Sequence, residues 1–264
     1  MKLLLTGIVL LYTSQYAFAD STLEFKDLIS QDNSHKLTFN IKKDLLKFQE
    51  SGSDRLNLFN QADTQFTSQE LKTGKKSVIN TQILQKRVNQ LTAKRLNKLS
   101  KVEKQVENKL KDMSDTEQEV GETVLTQLKY PEMYGEQNLL IIKPIDKNKE
   151  IASVSCQVHQ LFKKNKLVKE YCLASAKGLK MSPQNYKTLR SFYEFDYHMQ
   201  SQIMLAMGKS NFNLVDFNKQ KIPGVVVETI GYKDNKVSQH LILTSFSNQA
   251  LGDDIFALKK DTHK

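Results

Sequence analysis

Ser153-Val-Ser-Cys-Gln-Val-His-Gln-Leu-Phe162, then Lys163-Lys-Asn165, then Lys166-Leu-Val-Lys-Glu-Tyr-Cys-Leu173: this stretch decides how the chain folds. Two runs of alternating apolar and polar residues flank a short polar break, the pattern of a β-hairpin. The stretch holds both cysteines of the chain, Cys156 and Cys172. In a hairpin, residues whose numbers share one sum face each other. A turn centred on Lys164 therefore sets Cys156 opposite Cys172, Gln157 opposite Tyr171 and Leu161 opposite Leu167, with a three-residue loop in which Asn165 takes the left-handed position. Directly opposed Cα atoms lie about 4.5–5.5 Å apart, inside the disulfide range. A cross-strand disulfide is the expectation. A redox-active pair would rather take a Cys-x-x-Cys spacing at a helix start. A zinc site needs two further ligands, and His159 stands at odd spacing from Cys156, on the other strand face. Two reduced cysteines are the remaining alternative.

The N-terminus agrees with an oxidising compartment. Met1-Lys2 is followed by the mostly apolar Leu3–Tyr12 and by Ala17-Phe-Ala19 before Asp20. This is the layout of a secretory signal peptide with cleavage after residue 19. Thr13-Ser-Gln15 stops the apolar run short of the ~20 residues that span a bilayer. The expectation is an exported protein, periplasmic or secreted, folding over residues 20–264 as a single α+β domain. The chain of 264 residues carries a net charge of +10. Such a charge favours acidic partners, here an anionic membrane surface. Export makes nucleic acid an unexpected partner.

Leu37, Phe39 and Ile41 alternate as one face of a half-buried strand, and Leu23–Leu28, Arg55–Phe59 and Phe66–Leu71 read as further strands. Lys42–Phe48 fits either period. From Ser77 the period changes. Val78, Ile79, Ile83, Leu84, Val88, Leu91, Leu96, Leu99, Val102, Val106, Leu110 and Met113 recur mainly at three- and four-residue steps with no Gly or Pro between them. The expectation is one basic amphipathic helix over 77–113, roughly 50 Å long. Ser114-Asp-Thr-Glu117 has the form of a capping box that starts a second, acidic helix ending near Leu128, so a helical insertion occupies about 77–128. Lys94, Arg95, Lys98 and Lys101 are the candidates on this insertion for docking on an anionic surface. A solvated outer face over a packed apolar one is the plainer reading, and a coiled coil with another chain is disfavoured because the heptads slip around Arg95.

Leu139–Ile142 reads as a buried strand and Asp146–Lys149 as a turn. Ser182-Pro183 opens a helix with Ser as N-cap and Pro in its first turn, and Gly208 closes it. Val225–Tyr232 and Val237–Phe246 form a second hairpin across Lys233-Asp-Asn235, and Ile255–Leu258 is a last candidate strand. Strands, then helices, then strands interleaved with a helix give an α+β fold with a mainly antiparallel sheet covered by long helices.

Cys156-x15-Cys172-Leu-Ala-Ser, Gly178-Leu-Lys-Met-Ser-Pro183, Leu189-Arg-Ser-Phe-Tyr-Glu-Phe195 and Ile222-Pro-Gly-Val-Val-Val-Glu228 resemble an uncharacterised family of exported bacterial proteins, a domain of unknown function of the DUF4412 type. Its layout is similar to the LolA-like periplasmic lipoprotein-carrier fold. The resemblance covers residues 150–260. It implies a curved antiparallel sheet forming an incomplete barrel, with helices over its mouth and an apolar cavity inside, and hence binding of a lipid or lipidated ligand. Phe192, Tyr193, Phe195, Met199, Ile203, Met204 and Met207 are the cavity candidates on the second long helix, since methionine adapts to irregular apolar ligands. Plain core packing is the competing account of the same residues.

Nothing points to catalysis, a cofactor or a metal. Gly-x-Ser-x-Gly, His-Glu-x-x-His and Gly-rich phosphate loops are absent from the sequence. The histidines are scattered, and Glu194 with His198 fits an exposed helix pair. The function expected is a non-catalytic periplasmic or envelope binding protein. The alternative is an envelope interaction protein that uses the basic helix to engage anionic membrane or a protein partner.

Overall fold

The computed structural model describes residues 20–29, 35–111, 113–130, 140–209, 214–216, 220 and 222–259. The expected signal peptide, residues 1–19, and Leu139 lie outside them. Six strands come first: β1 (Ser21–Asp27), β2 (Lys36–Lys42), β3 (Leu45–Glu50), β4 (Arg55–Asn60), β5 (Gln65–Glu70) and β6 (Lys76–Ile79). Helices α1 (Thr81–Leu110) and α2 (Asp115–Lys129) follow. The chain then forms β7 (Leu140–Ile151), β8 (Val154–Lys163), β9 (Lys166–Ala174), α3 (Pro183–Ala206), β10 (Val225–Lys233), β11 (Lys236–Ser247) and a 3-10 turn at Asp253–Phe256.

The fold is α+β. All eleven described strands join one open antiparallel sheet in the order β6-β5-β4-β3-β2-β1-β11-β10-β9-β8-β7. From β1 the chain steps outward to one edge at β6, and from the other edge at β7 it steps back until β11 pairs with β1. Both edges are blunted against further pairing. Strand β6 is four residues long and starts on a lysine. Strand β7 carries Pro144, Asp146, Lys147 and Lys149, and its register shifts between Pro144 and Asn148.

Alternation decides the core. Leu23 and Phe25 of β1, Phe39 and Ile41 of β2, Leu46 of β3 and Phe59 of β4 are buried, and Leu189, Phe192 and Phe195 of α3 pack against them. Phe192 sits at the centre of this contact, its ring 6.2 Å from Phe39, 5.2 Å from Phe48 and 5.7 Å from Phe59. The geometry is edge-on or tilted, as aromatic quadrupoles favour.

Local chemistry holds α3 in place. Ser182 Oγ accepts the Asn185 N–H at 3.2 Å. The buried Asn185 side chain accepts the Lys43 N–H at 3.1 Å and donates to Ser21 Oγ at 3.2 Å. The helix ends where Gly208 adopts φ 79°. There the Lys209 N–H reaches the Met204 carbonyl and the Gly208 N–H the Leu205 carbonyl, the paired bonds of a Schellman closure.

Four features differ from those expected from the sequence. Residues 76–79 are an edge strand, with Ile79 paired to Phe66 and Val78 to Thr67 of β5, and Asn80 caps the helix by accepting the Ile83 N–H at 2.9 Å. The turn expected at 146–149 is strand, its extra residues absorbed by the register shift in β7. The strand expected at 255–258 is a 3-10 turn anchored by the one buried residue Phe256, with Lys42 paired to Asp253 at 2.8 Å. The fourth is the cysteine register. The β8–β9 connection has two residues, Lys164 and Asn165, at φ 46° and 63°, the signature of a type I′ turn. Phe162 therefore faces Leu167, and a register shift places Leu161 opposite Lys169 and Val158 opposite Cys172. The disulfide Cys156–Cys172 forms between diagonal neighbours, Cα to Cα 5.4 Å.

Candidate functional site

Between α3 and the sheet lies an open cavity of about 240 Å³. Strand alternation supplies its floor. Phe25 faces Leu37 and Leu243, Leu241 faces Thr229, and Thr229 faces Tyr171, so these positions share one side of the sheet. Phe25, Leu37, Phe39, Tyr171, Val226 and Leu241 make the floor apolar. Tyr193, Asp196 and Tyr197, one turn of α3, form the roof, and Leu214 and Val215 close one side. An apolar enclosure with a few polar groups is the usual form of a small-molecule site.

The polar groups are Lys169, Asp196, Thr229 and the tyrosine hydroxyls. Burial lowers the pKa of Lys169, and no carboxylate among the described residues stands at ion-pair distance to counter it. Burial raises the pKa of Asp196, against the hydrogen bond it accepts from Gln200 at 2.6 Å. Burial likewise holds the Tyr171 and Tyr193 phenols well above their ordinary range, so both are neutral in physiological solution. Burial, followed by the charge of Asp216, also raises Tyr197.

Two other depressions border the helices. One, of about 400 Å³, lies between β4, α1 and α3 and brings Glu194 and His198 beside Thr81 and Leu84. The other, of about 640 Å³, runs between α1 and α3 along Val88, Arg95 and Leu205. The first is lined by Phe59 and Phe195 beside Gln61, Thr64, Ser191 and Glu194, and the second by Arg95, Lys129 and Tyr130, so both are more polar than the cavity beneath α3. Among the described residues no cluster of three or more His, Cys, Asp or Glu could hold a metal ion. No helix among them is long and apolar enough to cross a membrane.

Of the cavity candidates read from the sequence, Tyr193 lines the cavity. Phe192 and Phe195 are buried in the aromatic core, and Met199 packs on its margin. Ile203 and Met204 are half-buried near the end of α3, and Met207 is exposed. Lys94, Lys98 and Lys101 are exposed on α1. Arg95 turns inward: its Nη1 donates to the Leu128 carbonyl of α2 at 2.8 Å, and its stem lies 3.1 Å from where a Cβ on Gly208 would stand. Lys169 escaped the sequence reading, although a signal was present. Alternation along β9 places Lys169 on the same side as Tyr171 and Leu173, a lysine on an otherwise apolar face.

The opposite side of the sheet carries a different chemistry. Cys172 follows Tyr171 in β9 and faces Glu228, so the disulfide lies on the side away from the cavity. There the buried Glu228 pairs with Lys149 and with His240 Nε2 at 3.0 Å. Glu170 accepts from Gln160 at 2.7 Å and Tyr232 at 2.9 Å. Burial opposes ionisation of Glu170, but these hydrogen bonds and the charges of Lys147 and Lys149 outweigh it and hold its pKa below the ordinary value. Each acid is already satisfied by protein groups, which suits a structural network.

No family model and no curated protein matches the chain. Among solved structures it is similar to PNGF-II in C2 and P21 crystal forms, at TM-scores of 0.38 and 0.39 and identities of 9% and 8%. The matches cover 92% and 91% of this chain and 30% of each PNGF-II chain. Likenesses at that level carry no argument about fold or activity.

Proposed function

We propose that this protein is an exported, non-catalytic binding protein of the bacterial envelope that takes an apolar chain of a lipid or lipidated ligand into the cavity beneath α3. The observation that carries the reading is the cavity itself, an aromatic and aliphatic floor roofed by one turn of a helix. A large open antiparallel sheet with a helix across one side also suits the LolA-like incomplete barrel to which the sequence is similar. At about 240 Å³, below the ~300–1,000 Å³ of most drug-sized sites, the space suits a single acyl chain rather than several.

Native mass spectrometry of the protein purified from its own compartment tests this, with a co-purifying lipid or fatty acyl ligand expected. A second arm fills the cavity by Leu241→Trp. Loss of binding of a fluorescent fatty acid, with the circular dichroism unchanged, supports the reading. Undiminished binding in that variant removes the cavity from it.

A second reading rests on the helical insertion. Val102, Val120, Val124 and Leu128 are exposed along α1 and α2, beside the exposed Lys94, Lys98 and Lys101. Such a surface suits contact with an anionic membrane. Co-sedimentation with anionic vesicles that disappears when the three lysines are changed to Glu favours it, and equal sedimentation of both proteins excludes it.

A further inference from the structure

We infer that Lys169 is the anchor for the charged end of the ligand, and that the ligand is therefore an apolar chain ending in a single carboxylate. The inference rests on the binding reading above and names the ligand class of that same cavity. Lys169 lies on a side of β9 that is otherwise apolar, between Leu161 of β8 and Gly231 of β10 across the sheet. It lines the cavity together with Phe25, Tyr171 and Leu241. Lys169 is half-buried, and taking an ammonium even partly out of water is costly unless an opposite charge or hydrogen bonds compensate. Among the described residues Lys169 has neither, whereas Lys149 on the other side of the same sheet is paired with Glu228. Among the described lining residues Lys169 is thus the one cation, with no acid at ion-pair distance, at the margin of an apolar space.

The remaining polar groups narrow the choice of anion. Asp196 faces the same cavity and its carboxyl is already engaged by Gln200. Among the described lining residues a second negative charge on the ligand would find no second cation, and Asp196 faces the same space. One ammonium therefore matches a monoanion. The rival account is that the lysine stem covers apolar surface while its head reaches water, which asks nothing of a ligand.

Calorimetric titration with dodecanoate, dodecanol and methyl dodecanoate separates the two accounts. A charge-assisted hydrogen bond predicts that dodecanoate binds about tenfold or more tightly than the alcohol and the ester. Lys169→Met should remove that preference by weakening dodecanoate more than dodecanol, with an unchanged circular dichroism spectrum showing that the variant is folded. Lys169→Arg should keep most of it. Equal binding of all three compounds by the native protein overturns the assignment of Lys169 and leaves the binding reading standing. So does an unchanged acid-to-alcohol ratio in Lys169→Met. Binding of none of the three overturns both.

Discussion

Lys164 and Asn165 stand in left-handed backbone conformation, and so do Ala152 with Ser153 and Asp234 with Asn235. The three tight hairpins on one half of the sheet are thus closed without a glycine. A non-glycine residue in this conformation costs roughly 1–2 kcal/mol, and Ala152 has no polar side chain with which to offset it. Replacing Ala152-Ser153 by Asn-Gly, the pair that type I′ turns favour, should raise stability by about 1 kcal/mol in urea unfolding. The two-residue turn accounts for one residue of the two-residue offset at the cysteines, and the register shift between Leu161 and Phe162 supplies the other. A polar Lys-Lys-Asn run identifies a turn, but two- and three-residue closures share that composition, and the choice lies in backbone angles. Glu170 gives a pH prediction at the same scale. Its folded pKa is depressed, so its contribution is fully present above the unfolded value of roughly 4.3. It is lost as pH falls through the lower folded value. Unfolding midpoints measured from pH 7 to 3 should decline at the acid end, and Glu170→Gln should flatten that decline.

Among the elements, the crossing of the three helices is held at few points. Arg95 of α1 bonds the end of α2 and lies against Gly208, which closes α3 in the left-handed region. Gly208→Ala meets both a backbone penalty and the Arg95 stem, and should cost about 1 kcal/mol or more in a denaturant titration. The hairpin of β8 and β9 carries its own tie. Changing Cys156 and Cys172 together to Ser should cost up to ~3 kcal/mol, less to the extent that the turn already holds the strands. Because the bond lies on the side of the sheet away from Lys169 and Tyr171, the double variant should bind fatty acid as the native protein does. The cap at Asn80 was not legible, whereas the helix starts at Ser114 and Ser182 were, since both act through bonds to residues three positions on. The 76–79 edge strand was less so, because β-branched residues just ahead of a helix fit both periods. The cavity was less legible still: its floor comes from β1, β2, β9, β10 and β11, and no local pattern joins them. Core burial misled the choice of Phe192 and Phe195, since an apolar helix stripe looks the same whether it faces side chains or a space.

For the whole molecule, the decisive contact is the pairing of β1 with β11, Thr22 to Ser247 through Asp27 to Leu241. It joins strands from opposite ends of the described chain at the middle of the sheet. Leu23, 1% exposed, packs at this seam, and Leu23→Ala should cost about 2–5 kcal/mol by equilibrium unfolding. The order β7 to β11 followed by β1 to β6 is, in space, an unbroken up-and-down ribbon whose ends happen to be its middle. A circularly permuted chain opened in the turn between α1 and α2 and joined from residue 259 back to Asp20 would run every strand beside its neighbour in sequence. The native connectivity instead asks β1 to wait for β11, which places their pairing after all the intervening described strands have been synthesised.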